Sequence, residues 1–216
     1  MSKPLLEAVG LASERDDRLL FDNLSFAVHA GTLTRVEGLN GSGKTTLLRI
    51  LCGLAPALDG EVLWRGEPIA HTRETFQRDL LYIGHRPGVK TLLTPIENAR
   101  SYLQPRRAVN DDAIMEALAQ VGLEGFEDVP CHSLSAGQQR RVALARLYLS
   151  DERLWILDEA FTALDRRGVQ ALEKLLLRRA EAGGAVVLTT HHDIVLPGLQ
   201  RVILGEVVSD SQGDAA

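Results

Sequence analysis

No uncharged stretch of this chain approaches the roughly 20 apolar residues that cross a bilayer, so no membrane-spanning helix is expected. Glu7 interrupts the apolar start at Leu5-Leu6, which breaks the continuous core that a secretory leader needs. A cytosolic chain is expected, and any work on a membrane requires a separate partner that supplies the spanning helices. Cysteine is scarce as well. Cys52 and Cys131 are the only two and have no C-x-x-C spacing. That excludes a disulfide framework and leaves small buried hydrophobes in a reducing compartment as their expected role. Positive charge is not in excess either. With 24 Lys and Arg against 29 Asp and Glu, the net charge is −5, which argues against nucleic-acid binding through a broad basic field. Arg140-Arg141 and Arg178-Arg179 are local basic pairs among acidic neighbours and read as solvated helix faces. No internal repeat and no heptad run is found.

What remains is enough for one domain, or one domain with a lobe: 216 residues, 45% of them hydrophobic. Residues 5–11 and 24–28 alternate like strands, 33–37 is a third short strand running into a glycine-rich loop, and 61–65 is another strand of an N-terminal antiparallel portion. Residues 45–53 carry Leu47, Leu48, Ile50 and Leu51 at helical spacing, with Gly53 as a stop. After a buried strand at 80–83, residues 84–94 read as a loop and 96–149 as mainly helical. There Asp111-Asp112 are expected to cap a helix that stops at Gly122. Residues 154–157 and 185–189 are almost wholly apolar and flank a helix at 167–180, the β-α-β order of parallel strands buried on both faces. The expected domain covers 1–208, with a helical lobe inserted at about 86–150, and a disordered tail is expected over 209–216.

The chemistry lies at the joints of these elements. Gly38-Leu39-Asn40-Gly41-Ser42-Gly43-Lys44-Thr45 matches G-x-x-x-x-G-K-[ST] at every fixed position, between a strand and a helix. Glycines let the backbone curl so that successive N–H groups face one anion, and the helix adds its positive dipole end. Lys44 is then placed for the β- and γ-phosphates of a nucleoside triphosphate, with Thr45 on Mg²⁺. The strand at 154–157 ends in Asp158-Glu159, where ligands bind in open α/β sheets. Mg²⁺ prefers carboxylates with water in its shell, which suits Asp158, and Glu159 is placed to orient or deprotonate an attacking water. Leu134-Ser135-Ala136-Gly137-Gln138 opens another helix, so a second N-terminus is available for an anion. On its own, Ser135 would be an ordinary cap.

Leu-Ser-x-Gly-Gln in the same chain as the phosphate loop and the Asp158-Glu159 strand end resembles the ATP-binding-cassette ATPases, the motor subunits of ABC transporters. That resemblance implies a phosphate-loop α/β core with a parallel central sheet, an N-terminal antiparallel β portion and an inserted α-helical subdomain, with ATP and Mg²⁺ as cofactors. It also implies a head-to-tail homodimer. The phosphate loop of one copy, extended to Thr46, and Ser135, Gly137 and Gln138 of the other would sandwich each γ-phosphate, with Asp165 of Ala163-Leu164-Asp165 bridging the subunits. His191 and His192 are adjacent and periodicity cannot choose between them; the family order of strand, Thr, His favours His191 as the γ-phosphate contact. Segments 80–90, 125–130, 134–150, 155–165 and 188–191 resemble more narrowly the ATPase subunits of the cytochrome c maturation system, the haem-exporter type. Those work on the cytoplasmic face of the inner membrane with membrane-spanning permease subunits and no nucleic acid. Another importer or exporter motor, or a soluble translation or repair ATPase, would be the rivals.

Three positions depart from the family pattern. The usual glutamine before Leu93-Thr94-Pro95 is His85, and imidazole is a poor Mg²⁺ ligand, which leaves a relay toward the membrane partner as its alternative role. The aromatic that stacks on adenine falls near Arg15, whose guanidinium can also lie flat on a ring. Ala160 replaces a proline after Glu159, freeing Glu159 from the pre-proline restriction.

Overall fold

The structure is a computed structural model that describes residues 3–103, 110–194 and 196–205. The tail expected over 209–216 lies outside the described residues. Two sheets organise the chain. The first is antiparallel, ordered β2-β1-β4-β5, from β1 (Leu6–Arg15), β2 (Arg18–Val28), β4 (Asp59–Trp64) and β5 (Glu67–Pro68). The second is parallel, ordered β6-β7-β8-β3-β9, from β3 (Leu33–Glu37), β6 (Leu80–Ile83), β7 (Leu154–Leu157), β8 (Ala185–Leu188) and β9 (Leu199–Ile203). The α/β class, with a parallel central sheet beside an antiparallel one, is the one expected.

The parallel sheet is covered on both faces, and its apolar strands divide by the strand period of two. Leu154, Ile156, Ala185 and Val187 join the core beneath the antiparallel sheet and α1 (Lys44–Leu51). Trp155, Leu157, Val186 and Leu188 point the other way, toward α5 (Ala136–Tyr148) and α6 (Arg166–Glu181). Helices α3 (Pro95–Leu103) and α4 (Asp111–Gln120) lie between β6 and β7 in the chain and share a separate cluster around Ile114, Leu118 and Leu134. Helix α5 serves two of these cores. Ala143, Leu144 and Leu147 pack toward the sheet, while Val142, Ala145 and Leu149 pack toward α3 and α4. A helix buried on opposite sides fixes its own axis rigidly to the sheet. Among the described residues no helix is long and apolar enough to cross a membrane.

Several boundaries differ from the sequence reading. The first hairpin is much longer than its apolar alternation suggests: β1 runs on to Arg15, and β2 starts at Arg18. Asp16 and Asp17, at φ 53 and 57, make a two-residue turn of the type whose twist suits a hairpin. Helix α2 (Arg73–Asp79) and the edge strand β9 carry too few buried residues to show an apolar period. The cap of α4 is Asn110, whose Oδ1 accepts the Asp112 amide at 2.9 Å. Asp111 is drawn instead into a two-pronged pair with Arg100 at 3.0 and 2.6 Å.

Candidate functional site

Strand β3 delivers the chain into the glycine-rich loop, where Gly38, Gly41 and Gly43 take φ of 148, 81 and 96. A side chain at Gly38 is excluded sterically as well, because a Cβ would stand 2.5 Å from Ser42 Oγ and 2.8 Å from the Leu204 carbonyl. Gly43 precedes α1 and offers no side-chain cap, so the first amides of that helix lack intrachain side-chain acceptors. Ser42 Oγ is buried without a hydrogen-bond partner. Lys44 Nζ folds back over the loop, donating to the Gly38 and Leu39 carbonyls at 2.8 and 3.0 Å. Uncapped amides, an orphan hydroxyl and one ammonium on a curled loop are the donor set of a phosphate cradle.

The acidic strand end faces that cradle. Asp158 is 1% exposed, held by its amide to the Ile83 carbonyl at 2.8 Å. One carboxylate oxygen accepts from Thr45 Oγ1 at 2.9 Å and the other from Thr189 Oγ1 at 2.8 Å. A buried charge with two donors is stable where an unpaired one would not be. Its field reaches beneath α1: the Cys52 thiol is pushed above the ordinary thiol range, by burial first and by Asp158 second. Both cysteines are free and buried, the role expected of them.

Glu159 stands at φ 53, a strained conformation for a non-glycine residue, and its amide donates to Thr189 Oγ1 at 2.9 Å. Ala160, wholly buried, imposes no pre-proline restriction on that backbone. His191 Nε2 lies 3.5 Å from Glu159 Oε1, an ion pair only when the imidazole is protonated. The neighbouring His192 ring instead tilts against Phe161, centroids 6.0 Å apart. Arg35 braces the segment before them, donating to the Thr190 carbonyl at 3.3 Å and pairing with Glu37.

A cleft of about 350 Å³ gathers the pieces: Asn40, Gly41, Gly43, Lys44, Thr45 and Thr46 on one wall, with His85, Glu159 and His191 opposite. Arg15 reaches its mouth, 76% exposed and 3.4 Å from Asp16, with Leu20 beside it. Ser135, Gly137, Gln138 and Asp165 do not line this cleft. Ser135 and Gln138 form a reciprocal capping box at the start of α5, with Ser135 Oγ accepting at 3.2 Å and Gln138 Oε1 accepting at 2.9 Å. A Cβ at Gly137 would meet Ala163 at 3.7 Å, so this turn abuts the segment of Asp165. Asp165 caps α6 through Gly168 at 2.7 Å and pairs with Arg141 at 3.5 Å.

Two residues of the site were not visible in the sequence. Thr189 links Asp158 to Glu159 through one hydroxyl. Arg140, read as part of a solvated basic face, is 5% exposed. Its guanidinium donates to the carbonyls of Gly84 and Asp158, each at 2.6 Å. In the other basic pair Arg178 is exposed, as expected, whereas Arg179 lies over the Trp155 ring and donates to the carbonyls of Asp151 and Glu152.

Comparison with known proteins agrees with this geometry. A family model described as ABC transporter matches residues 21–162. The cytochrome c biogenesis ATP-binding export protein CcmA of Hahella chejuensis (strain KCTC 2396) is 58% identical, over 94% of this chain and 97% of its own. Among solved structures, an ATP-binding subunit of an ABC transporter aligns with TM-score 0.77 and 26% identity, covering 87% of this chain and 79% of its own. A dimeric post-hydrolysis state of the ATP-binding cassette MJ0796 bound to ADP and Pi aligns at 0.73 and 26% identity, over 87% of this chain and 88% of that one. With its phosphate loop, paired acids and capped Ser135 helix in one α/β frame, the chain belongs to the ATP-binding cassettes of the ABC transporter family, alongside the cytochrome c biogenesis ATP-binding export proteins.

Proposed function

We propose that this chain hydrolyses ATP to drive the export step of cytochrome c biogenesis, through membrane-spanning permease subunits at the cytoplasmic face of the inner membrane. The observation that carries the hydrolytic part is the single cleft into which the phosphate loop, Glu159 and His191 all open. Asn40, Gly41, Ser42, Gly43, Lys44, Thr45 and Thr46 bind the phosphates. The Thr45 hydroxyl and the Asp158 carboxylate, 2.9 Å apart, are the hard oxygen donors that Mg²⁺ takes. The ion, when bound, neutralises charge on the terminal phosphates. Glu159 orients and deprotonates the attacking water. His191 contacts the γ-phosphate and keeps Glu159 directed at that water. His85, on the loop after β6, lines the same cleft and relays movement toward the membrane partner.

Two copies close head to tail. The MJ0796 cassette, solved as a dimer with ADP and Pi, supports that assembly. Ser135, Gly137 and Gln138, outside the cleft of their own chain, complete the cleft of the partner copy, with Asp165 at the crossing. The identity to the export protein of Hahella chejuensis supports the cytochrome c role, in which the energy moves haem onward or releases it with its periplasmic chaperone.

The cleft mouth predicts its base preference. Arg15 is a solvated guanidinium on a hairpin tip, and its stacking on a base discriminates weakly between purines. Turnover of GTP should stay within about tenfold of ATP in kcat/KM, a difference of about 1.4 kcal/mol; a strong preference for ATP would exclude Arg15 as the base platform. The cargo role is tested by solubilising membranes with this chain as bait. Integral subunits of the cytochrome c maturation complex should be recovered, and recovery of a sugar or lipid permease in their place would overturn it.

A further inference from the structure

Arg140 reaches from the Ser135 helix to two backbone segments on the Glu159 side of the cleft, at Gly84-His85 and at Asp158. It sits on the fifth residue of α5, 5% exposed. One guanidinium nitrogen donates to the Gly84 carbonyl at 2.6 Å and to the His85 carbonyl at 3.4 Å; the other donates to the Asp158 carbonyl at 2.6 Å. Nε, also buried, has no partner. A buried guanidinium with an unpartnered nitrogen is costly. Packing alone would be served better by an apolar residue, and the fork must therefore be held for what it grips. Burial lowers the Arg140 pKa, an effect opposed chiefly by the Asp158 charge.

What it grips is one particular peptide plane. The carbonyl of Asp158 and the amide of Glu159 belong to the same peptide group. Arg140 binds its oxygen from α5, and Thr189 Oγ1, just after β8, binds its N–H at 2.9 Å. A planar amide held at both ends cannot rotate, and this fixes where Glu159 departs with its φ of 53. The same fork holds the backbone at Gly84 and His85, beside Glu159 in the cleft lining. Lysine would supply one compact ammonium where the site uses a planar fork.

We propose that Arg140 is a positioning residue for hydrolysis, locking the Asp158–Glu159 peptide and the His85 loop to the helix that begins at Ser135. The inference rests on the Glu159 role proposed above. If Ser135 engages nucleotide in the partner copy, any displacement of α5 passes through Arg140 to the Glu159 of its own chain. The two composite sites of a dimer are thereby linked through a single side chain.

The test is Arg140→Lys in the full chain, assayed for nucleotide binding with a fluorescent ATP analogue and for phosphate release. Analogue affinity should stay within about twofold while kcat falls about 10- to 100-fold, since a misplacement of about 1 Å at the reacting centre costs that much. A cycle with Glu159→Gln separates positioning from general weakening. If Arg140 acts only through Glu159, the double variant is no slower than Glu159→Gln alone. Free guanidinium should restore part of the turnover of Arg140→Ala and none of that of Glu159→Gln. Native kcat in Arg140→Lys, measured below its melting point, would overturn the assignment, as would losses that multiply in the double variant. A Glu159→Gln chain that still hydrolyses would instead remove the Glu159 role itself.

Discussion

Glu159→Gln should bind MgATP, remain dimeric in its presence and lose at least about 100-fold in turnover, the usual contribution of a positioned general base. Its backbone explains why binding survives. Glu159 is held at φ 53 by hydrogen bonds through its own amide and the carbonyl before it, to Thr189 and Arg140. Neither involves the side chain that changes. Glutamine has the same length and remains within reach of His191, which lies 3.5 Å from the carboxylate in the native chain. The phosphate cradle on the opposite wall is untouched, with Lys44 still hinged on the Gly38 and Leu39 carbonyls. Only the basic oxygen disappears, so binding and chemistry separate. Size-exclusion chromatography with and without MgATP, beside a phosphate-release assay, measures both at once. Undiminished hydrolysis would take Glu159 out of its role, and loss of binding would show that its charge serves the ground state.

The parts of the site that were legible in the sequence are those whose signal is contiguous. The phosphate loop is eight consecutive residues whose glycines answer local backbone demands, such as the 2.5 Å approach of Ser42 Oγ at Gly38. Strands β7 and β8 are buried on both faces and so carry an unbroken apolar run that needs no partner to be recognised. The polar half of the first hairpin was not legible, because exposed residues such as Glu14 and Arg15 leave no period and only Asp16 and Asp17 mark the turn. Arg140 was misread for a different reason. Its adjacent Arg141 turns to Asp165 at 3.5 Å, while Arg140, one position back, turns into the interior. Periodicity assigns a face only when one side of the helix is apolar, and α5 is packed on opposite sides. Its partners at Gly84 and Asp158 are 56 and 18 residues away in sequence, a relation no local pattern contains. The choice between His191 and His192 was likewise a matter of tertiary geometry: adjacent residues differ in direction, and one meets Glu159 while the other meets Phe161.

Asp158→Asn should be the variant that keeps the fold and loses the chemistry. Thr189 Oγ1 already accepts the Glu159 amide, so its own hydrogen must go to Asp158 Oδ1, and an amide oxygen can take it. At the other position the asparagine NH₂ can donate to Thr45 Oγ1, whose hydroxyl hydrogen then rotates away. Every buried polar group keeps a partner, and a neutral amide is less costly to bury than a carboxylate. The melting temperature should therefore stay within about 4 °C of the native chain, the shift expected for about 1 kcal/mol in a domain of this size. Asp158→Ala is the contrast. It orphans the buried hydroxyl of Thr189 and leaves a cavity, at a cost of about 1–3 kcal/mol for the unsatisfied group, while the exposed Thr45 hydroxyl turns to water. Turnover should fall at least about 100-fold in both variants, because the anionic oxygen suited to Mg²⁺ is gone and electrostatic stabilisation of several kcal/mol goes with it. In Asp158→Asn the Mg²⁺ concentration for half-maximal nucleotide binding should rise as well, a readout independent of catalysis. Thermal melts of the two variants and a Mg²⁺ titration with a fluorescent ATP analogue decide the matter. An asparagine variant that turns over at the native rate and native Mg²⁺ requirement, or that melts as early as the alanine one, would show that Asp158 serves the fold and not the ion.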